Sequence, residues 1–257
     1  MGKKVQKTMN YRLIIFVSFI CLFFTKNSFS QADTIKKQDT QSRYNPGLLW
    51  RFTGFEPRYG KEGEKYDRLV VDICYNDWLG DKNGTKTQWY SIGYNINLLF
   101  DVPFNKQSTA SMGIGLSFSH VNLMNNGVLR SNDSLETTTL TPHFAGETPR
   151  KMNKFVANYI EIPVEFRFRS PGYQHFKFHL GFKAGVRISS FERWKEGSKK
   201  FKEFNHPDIA RFRYGITARI GIRNWALFGS FFISDLFTNS QSSQLLPYSF
   251  GISLSLF

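Results

Sequence analysis

The sequence has little that would support disulfide cross-linking, helical membrane insertion or metal chemistry. Only two cysteines occur in 257 residues. Cys21 lies in an N-terminal segment that we expect to be removed, so Cys74 has no partner for an internal disulfide. No later stretch contains 18 consecutive apolar residues, so no helical membrane span is predicted. Zinc or calcium ligand spacing is absent, as is any nucleic-acid-binding motif. We expect no cofactor, no metal and no nucleic-acid partner.

The N-terminus has the pattern of a secretory signal peptide. A basic start precedes the apolar run Leu13–Phe24, and the small residues Ser28 and Ser30 follow it. This run is too short to cross a bilayer as a helix, which needs about 20 residues, so we predict a cleaved signal rather than an anchor. Cleavage is predicted before Gln31, with a site two residues later as the alternative. Export also argues against nucleic acid as the partner, despite a formal charge of +14.

Three segments are predicted: a signal peptide (1–30), a polar periplasmic extension (31–66) and a barrel domain (67–257). The extension contains an apolar patch, Leu48–Phe55. This patch either packs into or below the barrel or forms an additional strand, and the sequence leaves both placements open.

A two-residue alternation of apolar and polar side chains dominates the remaining chain. Between Lys154 and Arg169, for example, Phe166 and Phe168 alternate with Glu165 and Arg167. Successive side chains of a strand point to opposite faces, so this pattern predicts strands with one apolar and one polar face. Eight candidate strands are 68–76, 89–101, 110–121, 154–169, 175–189, 209–222, 225–235 and 246–257. The facing of the seventh is ambiguous because both of its faces are apolar.

The connections between these strands alternate between long and short. Outer-membrane barrels have short periplasmic turns and long external loops. The sequence therefore predicts an all-β fold, an eight-stranded antiparallel transmembrane up-and-down β-barrel with that loop asymmetry. Pro163 lies in the middle of a candidate strand, where it lacks a ladder donor, so we expect a local bulge there. The long polar segment 122–153 is expected to be mobile or to bind a partner.

Alternation alone does not say which face is inside. A soluble lipocalin-type barrel would enclose the apolar face, but these bulky residues would overfill eight strands, whereas the polar face is rich in Gly and Ser. We therefore predict that the apolar face contacts lipid. The predicted lumenal charges are Arg68, Asp72, Glu161, Glu165, Arg167, Arg169, Lys177, Lys183, Arg187, Arg211, Arg213 and Arg219, with His175 and His179. They would form either a salt-bridge network that fills the barrel or an anion-attracting pore.

The strand containing Tyr159-Ile160-Glu161-Ile162-Pro163 resembles the "Y-[IL]-E-[IL]-P" strand of small outer-membrane β-barrels of the Bacteroidota, a group that includes PorT-like proteins. The Gly-rich segments Met112–Ser117 and Gly181–Gly185, and the closing segment Pro247–Phe257, are similar to strands of the same family. The resemblance implies location in the outer membrane of a Gram-negative bacterium. The first functional hypothesis is a non-enzymatic scaffold or accessory role in an envelope protein complex, and the resemblance to PorT-like proteins implies type IX protein secretion as one possibility.

Two other functions remain open. A lipid-modifying enzyme would need a nucleophile and a base on one face, but Ser119 and His120 are adjacent and face opposite sides. A surface-binding barrel would contact lipopolysaccharide through basic residues of the segment 193–202, although Glu192, Glu196 and Glu203 dilute their charge. The proposed lipopolysaccharide contacts are Arg193, Lys195, Lys199, Lys200 and Lys202. Outer-membrane lipid is a partner in every case.

Overall fold

We describe the protein from a computed structural model over residues 69–104, 109–132, 134–148, 150–170, 176–204 and 208–256. The predicted signal peptide and periplasmic extension lie outside these residues, as do Arg68, His175 and Phe257. Among the described residues, no helix has the length and apolar character needed to cross a bilayer.

The described chain forms eleven β-strands. Their bounds are β1 Leu69–Gly80, β2 Ile92–Pro103, β3 Ala110–Met124, β4 Gly127–Asn132, β5 Thr137–Pro142, β6 Lys151–Arg169, β7 Phe176–Glu196, β8 Lys199–Glu203, β9 Phe212–Ile222, β10 Trp225–Phe232 and β11 Leu245–Ser255.

Eight of these strands close into one antiparallel barrel. The hydrogen-bonded order is β1-β2-β3-β6-β7-β9-β10-β11, and β11 pairs back onto β1 from Val70↔Ser255 to Gly80↔Leu245. Closure leaves these barrel strands without an open sheet edge. The predicted eight-stranded antiparallel barrel is confirmed, and each predicted strand corresponds to one barrel strand.

The remaining strands lie at the end of the barrel that carries the long connections, here named the loop end. β4 and β5 form a separate two-stranded sheet, and β8 pairs only with the last part of β7 among the described strands. The segment 122–153, expected to be mobile or partner-binding, is thus largely a folded hairpin. The opposite end carries connections such as Arg223–Asn224 and is named the turn end.

The two faces of the barrel wall are chemically distinct. In β6, Phe166 and Phe168 are each 51% exposed, whereas Arg167 between them is 1% exposed. The same alternation in the other barrel strands produces an exposed apolar belt and a polar interior. The predicted assignment of inside and outside is confirmed.

Two details of strand geometry differ from the sequence reading. No register shift occurs at Pro163: it pairs with Lys183 in an unbroken ladder with β7, so the expected bulge there is wrong. One register shift lies between Lys151 and Lys154 of β6, and the other lies in β7, where Asn158 pairs with Ser189 but Tyr159 pairs with Arg187. Ile188 is the additional residue, and a bulge of this kind reverses which side chains of β7 face outward beyond it.

Candidate functional site

The lumen is filled by paired charges. Among the described residues, four buried carboxylates and six buried cations face the interior of the barrel. They are Asp72, Asp101, Glu161 and Glu165, with Arg167, Arg169, Lys177, Lys183, Arg213 and Arg219. Isolated charges in the lumen would carry a large desolvation cost. Pairing offsets this cost and allows the charged side chains to be buried.

Arg219 joins the carboxylates of two strands on opposite sides of the lumen. Its Nη2 lies 2.8 Å from Asp72 Oδ2, and its Nη1 contacts Glu165. Asn97 Nδ2 donates to Asp72 Oδ2 at 2.9 Å. Glu165 is also 3.1 Å from Arg167 Nε. This cluster connects β1, β2, β6 and β9 through the interior.

A second cluster surrounds Glu161, closer to the loop end. Lys183 Nζ lies 2.8 Å from Glu161 Oε2 and Arg213 Nε lies 2.7 Å from Oε1. Ser119 Oγ donates to the same carboxylate. The guanidinium of Arg213 also lies 3.5 Å from the centroid of the Tyr159 ring, a cation–π contact.

A third cluster near the turn end is centred on Asp101, which the sequence reading did not include. Asp101 lies 3.0 Å from both Arg167 and Arg169, and Ser111 Oγ donates to it at 2.8 Å. The signal was available, because Asp101 shares its face of β2 with Asn95 and Asn97. Nearby, Lys177 Nζ donates to Ser255 Oγ at 2.7 Å.

Small residues on neighbouring strands make room for these long side chains. A Cβ on Gly113 would lie 2.5 Å from Arg167 Nε, and one on Gly185 would lie 2.5 Å from Glu161 Cγ. The facing of β10 is now decided: Phe228 and Phe232 point inward, with their rings 4.9 Å from Arg219 and 4.1 Å from Arg213.

Two predicted members of the lumenal set lie at or beyond its rim. Arg211, expected inside, is exposed. It precedes β9, whose pairing with β7 begins at Phe212, so the sheet does not enclose it. Arg187 is half-buried and donates to the Ile209 carbonyl at 2.9 Å. His179 lies inside, with Nδ1 3.8 Å from Glu165.

The loop end of the lumen is closed by an apolar cluster, here named the cap. The β4–β5 hairpin reaches the β10–β11 connection, and Leu140 N donates to Ser243 Oγ at 3.0 Å, while Ser243 N donates to the Thr138 carbonyl at 3.1 Å. Thr138 N also donates to Asp208 at 3.1 Å. The cap consists of Trp78, Val121, Leu123, Leu129, Leu140, Phe155, Ala157, Tyr159, Ile209, Leu236, Phe237 and Leu245.

The five predicted lipopolysaccharide contacts lie on the β7–β8 extension beyond the barrel wall. Arg193 is opposite Lys202, and Lys195 is opposite Lys200. These four therefore share one face of the hairpin. Lys199 pairs with Glu196 and lies on the other face, so the structure does not bring it together with the other four. The sequence analysis treated residues 193–202 as a loop, so it could not assign them to the two faces of the β7–β8 hairpin.

Comparison with known proteins agrees with this architecture. A model of a family described as "Outer membrane protein beta-barrel domain" matches residues 69–237. The chain belongs to this family. It is consequently an integral β-barrel of the outer membrane, with its loop end outside the cell.

Other comparisons give no finer assignment for this outer-membrane barrel. No curated protein matches it. Among solved structures, Ail, the attachment invasion locus protein of Yersinia pestis, is 15% identical with a TM-score of 0.32, covering 75% of this chain and 98% of Ail.

The residues considered for catalysis are separated by the barrel wall. Ser119 is buried in the lumen against Glu161, while His120 is on the outer face, where its ring stacks on Tyr94 with centroids 5.0 Å apart. Among the described residues, no group of three or more His, Cys, Asp or Glu side chains is placed to hold a metal ion.

Glu192 gives the extension of this outer-membrane barrel a predicted dependence on pH. It lies beyond the apolar belt and is 1% exposed. Burial raises the pKa of its carboxyl from 4.5 to about 7, although Asn153 and Arg150 lower it. Because the folded state holds this proton more tightly than the unfolded state, the stabilisation is complete below pH 4.5 and is lost as the pH rises to about 7. We expect a loss of about 3 kcal/mol from this group.

Hydrogen exchange of the β8 amides between pH 4.5 and 8, corrected for intrinsic rates, measures this effect. Glu192→Gln should abolish the pH dependence. Glu136→Gln, in the exposed β4–β5 connection, is the matched control and should leave it unchanged. Equal slopes for wild type and Glu192→Gln would contradict the assignment.

Proposed function

We propose that this outer-membrane barrel is a non-enzymatic, non-conducting scaffold or accessory subunit of an envelope protein complex. The main support is the closed interior: paired charges fill the lumen and the cap covers its loop end. With no open bore, the surfaces available for function are the outer wall and the loop end. Assignment to the PorT-like proteins of the Bacteroidota, and to type IX secretion, is a narrower form of this proposal that rests on the Tyr159–Pro163 strand.

We expect the purified barrel to give no stepwise current in a planar lipid bilayer. An eight-stranded barrel has an interior just wide enough to be filled by side chains, and the Arg219 and Glu161 clusters occupy it. Current should be recorded in potassium chloride, with a known porin as the positive control. Stable, anion-selective openings would support the pore reading instead.

The scaffold proposal is tested by isolating the barrel with its neighbours. An affinity tag inserted at Gly146, in an exposed connection where a Cβ would meet nothing within 4 Å, should leave the barrel intact. Mild cross-linking, gentle detergent extraction and mass spectrometry should then recover a defined set of envelope proteins. A similarly tagged unrelated barrel is the control. Recovery of the same proteins with both, or of no stable partner, would refute the proposal.

The alternative of a lipid-modifying enzyme has less support. Ser119 and His120 lie on opposite faces of the wall, and each is engaged by another side chain, Glu161 and Asn158 respectively. A change in lipid A structure on deletion of the gene would favour the enzyme. Lipopolysaccharide contact is a binding property compatible with a scaffold, and it is argued separately below.

A further inference from the structure

The outer face of the β7–β8 extension carries two rows of cations that cross three strands. One row runs from Lys154 on β6 through Arg193 on β7 to Lys202 on β8. The next runs from Lys151 through Lys195 to Lys200. Directly opposed residues of an antiparallel pair have Cβ atoms about 5 Å apart. We name these six residues the cationic face.

The acidic residues of the extension do not neutralise this face. Glu192 is opposite Glu203, and Glu196 is opposite Lys199, so all three glutamates point to the other side of the hairpin. There Glu196 accepts a hydrogen bond from Trp194 Nε1 at 2.8 Å and lies 3.9 Å from Arg150, and Glu192 lies 3.8 Å from Arg150. The charge dilution read from the linear sequence is therefore absent from the folded surface.

An arrangement of like charges in register opposes folding. Cross-strand pairs of like charge are destabilising, and here the repulsion recurs in both rows. A polyanion spanning the rows would relieve it and gain charge-assisted hydrogen bonds. The spacing suits a ligand with several phosphate groups better than a single small anion.

The position of the face relative to the membrane selects the source of the phosphates. The exposed apolar residues of β7 continue up to Ile188. Phe191 and Phe204 follow, with Lys202 Nζ at 4.0 and 4.4 Å from their ring centroids, and the cation rows lie beyond them. From belt to tip, the outer wall thus presents apolar, aromatic and cationic side chains. This order matches acyl chains, interface and phosphorylated headgroups in the outer leaflet.

We propose that the cationic face binds the phosphate groups of lipopolysaccharide lying beside the barrel in the outer leaflet. Arg193, Lys200 and Lys202 contact these phosphate groups, and Phe191 and Phe204 pack against the lipid at the interface. This inference goes beyond the scaffold proposal and requires no protein partner. A failed search for envelope proteins would leave it intact.

The test uses the full-length mature barrel in detergent micelles, titrated with phosphorylated lipopolysaccharide and with the same material after enzymatic dephosphorylation. The variant Arg193→Gln/Lys200→Gln/Lys202→Gln should bind the phosphorylated form about tenfold more weakly, since exposed charge pairs are individually weak but act together here. Wild type should bind the dephosphorylated form about as weakly as the variant binds the phosphorylated form. The affinity of wild type for the phosphorylated form should fall with added salt. Inorganic phosphate at millimolar concentration should not displace the lipid.

A matched control variant distinguishes loss of the binding site from loss of net positive charge. Lys86→Gln/Lys199→Gln/Arg211→Gln removes the same number of positive charges from exposed positions off the cationic face. It should bind like wild type. Both triple variants should fold: in the first, relief of the cross-strand repulsion offsets the loss of the Lys202 contacts with the Phe191 and Phe204 rings. Equal weakening by both variants, or equal wild-type affinity for both lipid forms, would overturn the proposal. Displacement by inorganic phosphate would reassign the face to free phosphate.

Discussion

Replacing Arg219 by leucine is expected to destabilise the folded barrel by about 3–5 kcal/mol, because removing one partner of a buried ion pair leaves uncompensated charge. Here two carboxylates lose their shared cation. Arg219 donates through Nη2 to Asp72 at 2.8 Å, contacts Glu165 through Nη1, and donates through Nε to Ser253 at 3.2 Å. Leucine replaces none of these contacts. The closed lumen also limits the access of water to the two carboxylates that lose Arg219.

The measurement is equilibrium urea unfolding in micelles, followed by tryptophan fluorescence and by gel mobility of the folded form. Arg219→Lys keeps the charge but not the fork of donors that reaches both carboxylates, so its loss should be intermediate. Arg211→Leu, at an exposed position, should remain within about 0.5 kcal/mol of wild type. Comparable losses for Arg219→Leu and Arg211→Leu would show that the lumenal pairs do not hold the barrel together.

The barrel could be predicted because each strand repeats the same local rule. In β6, every second residue from Ile160 to Phe168 is apolar, and burial of the intervening residues follows that parity. Membrane strands are fixed by hydrophobicity on one face, so the signal is local and survives without knowledge of neighbours.

The features that could not be predicted from the sequence depend on contacts between strands. The bulge at Ile188 reverses the facing of β7, and nothing in its own sequence marks that position. The registers of β7 with β6 and with β8 assemble the cationic face and leave Lys199 off it. Similarly, Phe228 and Phe232 turn inward because cations on neighbouring strands meet their rings. Composition predicts the belt, but it does not predict partners across the lumen.

The cap was missed for the same reason. Its apolar residues come from six different strands and from the connections before β9 and after β10, so no single stretch of sequence marks them as one cluster. Leu140 and Leu245 come from segments more than a hundred residues apart, and hydrogen bonds from Ser243 N to the Thr138 carbonyl and from Leu140 N to Ser243 Oγ join those segments. A polar composition suggested mobility for the segment 122–153, whereas long-range packing gives it a defined fold.

Replacing Trp78 by alanine is expected to destabilise the cap by about 3–5 kcal/mol, the usual cost of deleting a buried aromatic side chain. Trp78 is 1% exposed, and its ring centroid lies 5.9 Å from that of Phe155. Its Nε1 has no hydrogen-bond partner among the described residues. Trp78→Phe keeps one aromatic ring, leaves a smaller cavity and loses no such bond, so we expect it to cost less, about 1–2 kcal/mol.

Urea unfolding reports the cost, and hydrogen exchange of β4 and β5 reports whether the hairpin has detached from the loop end. Trp78→Ala should increase that exchange while the amides of β6 and β9 within the belt stay protected. A planar-bilayer recording of the same variant tests whether the paired charges or the cap closes the lumen. If the paired charges alone fill the bore, loosening the cap should produce no current. Stepwise current from Trp78→Ala but not from Trp78→Phe would instead make the cap the gate, and would contradict a lumen closed along its length.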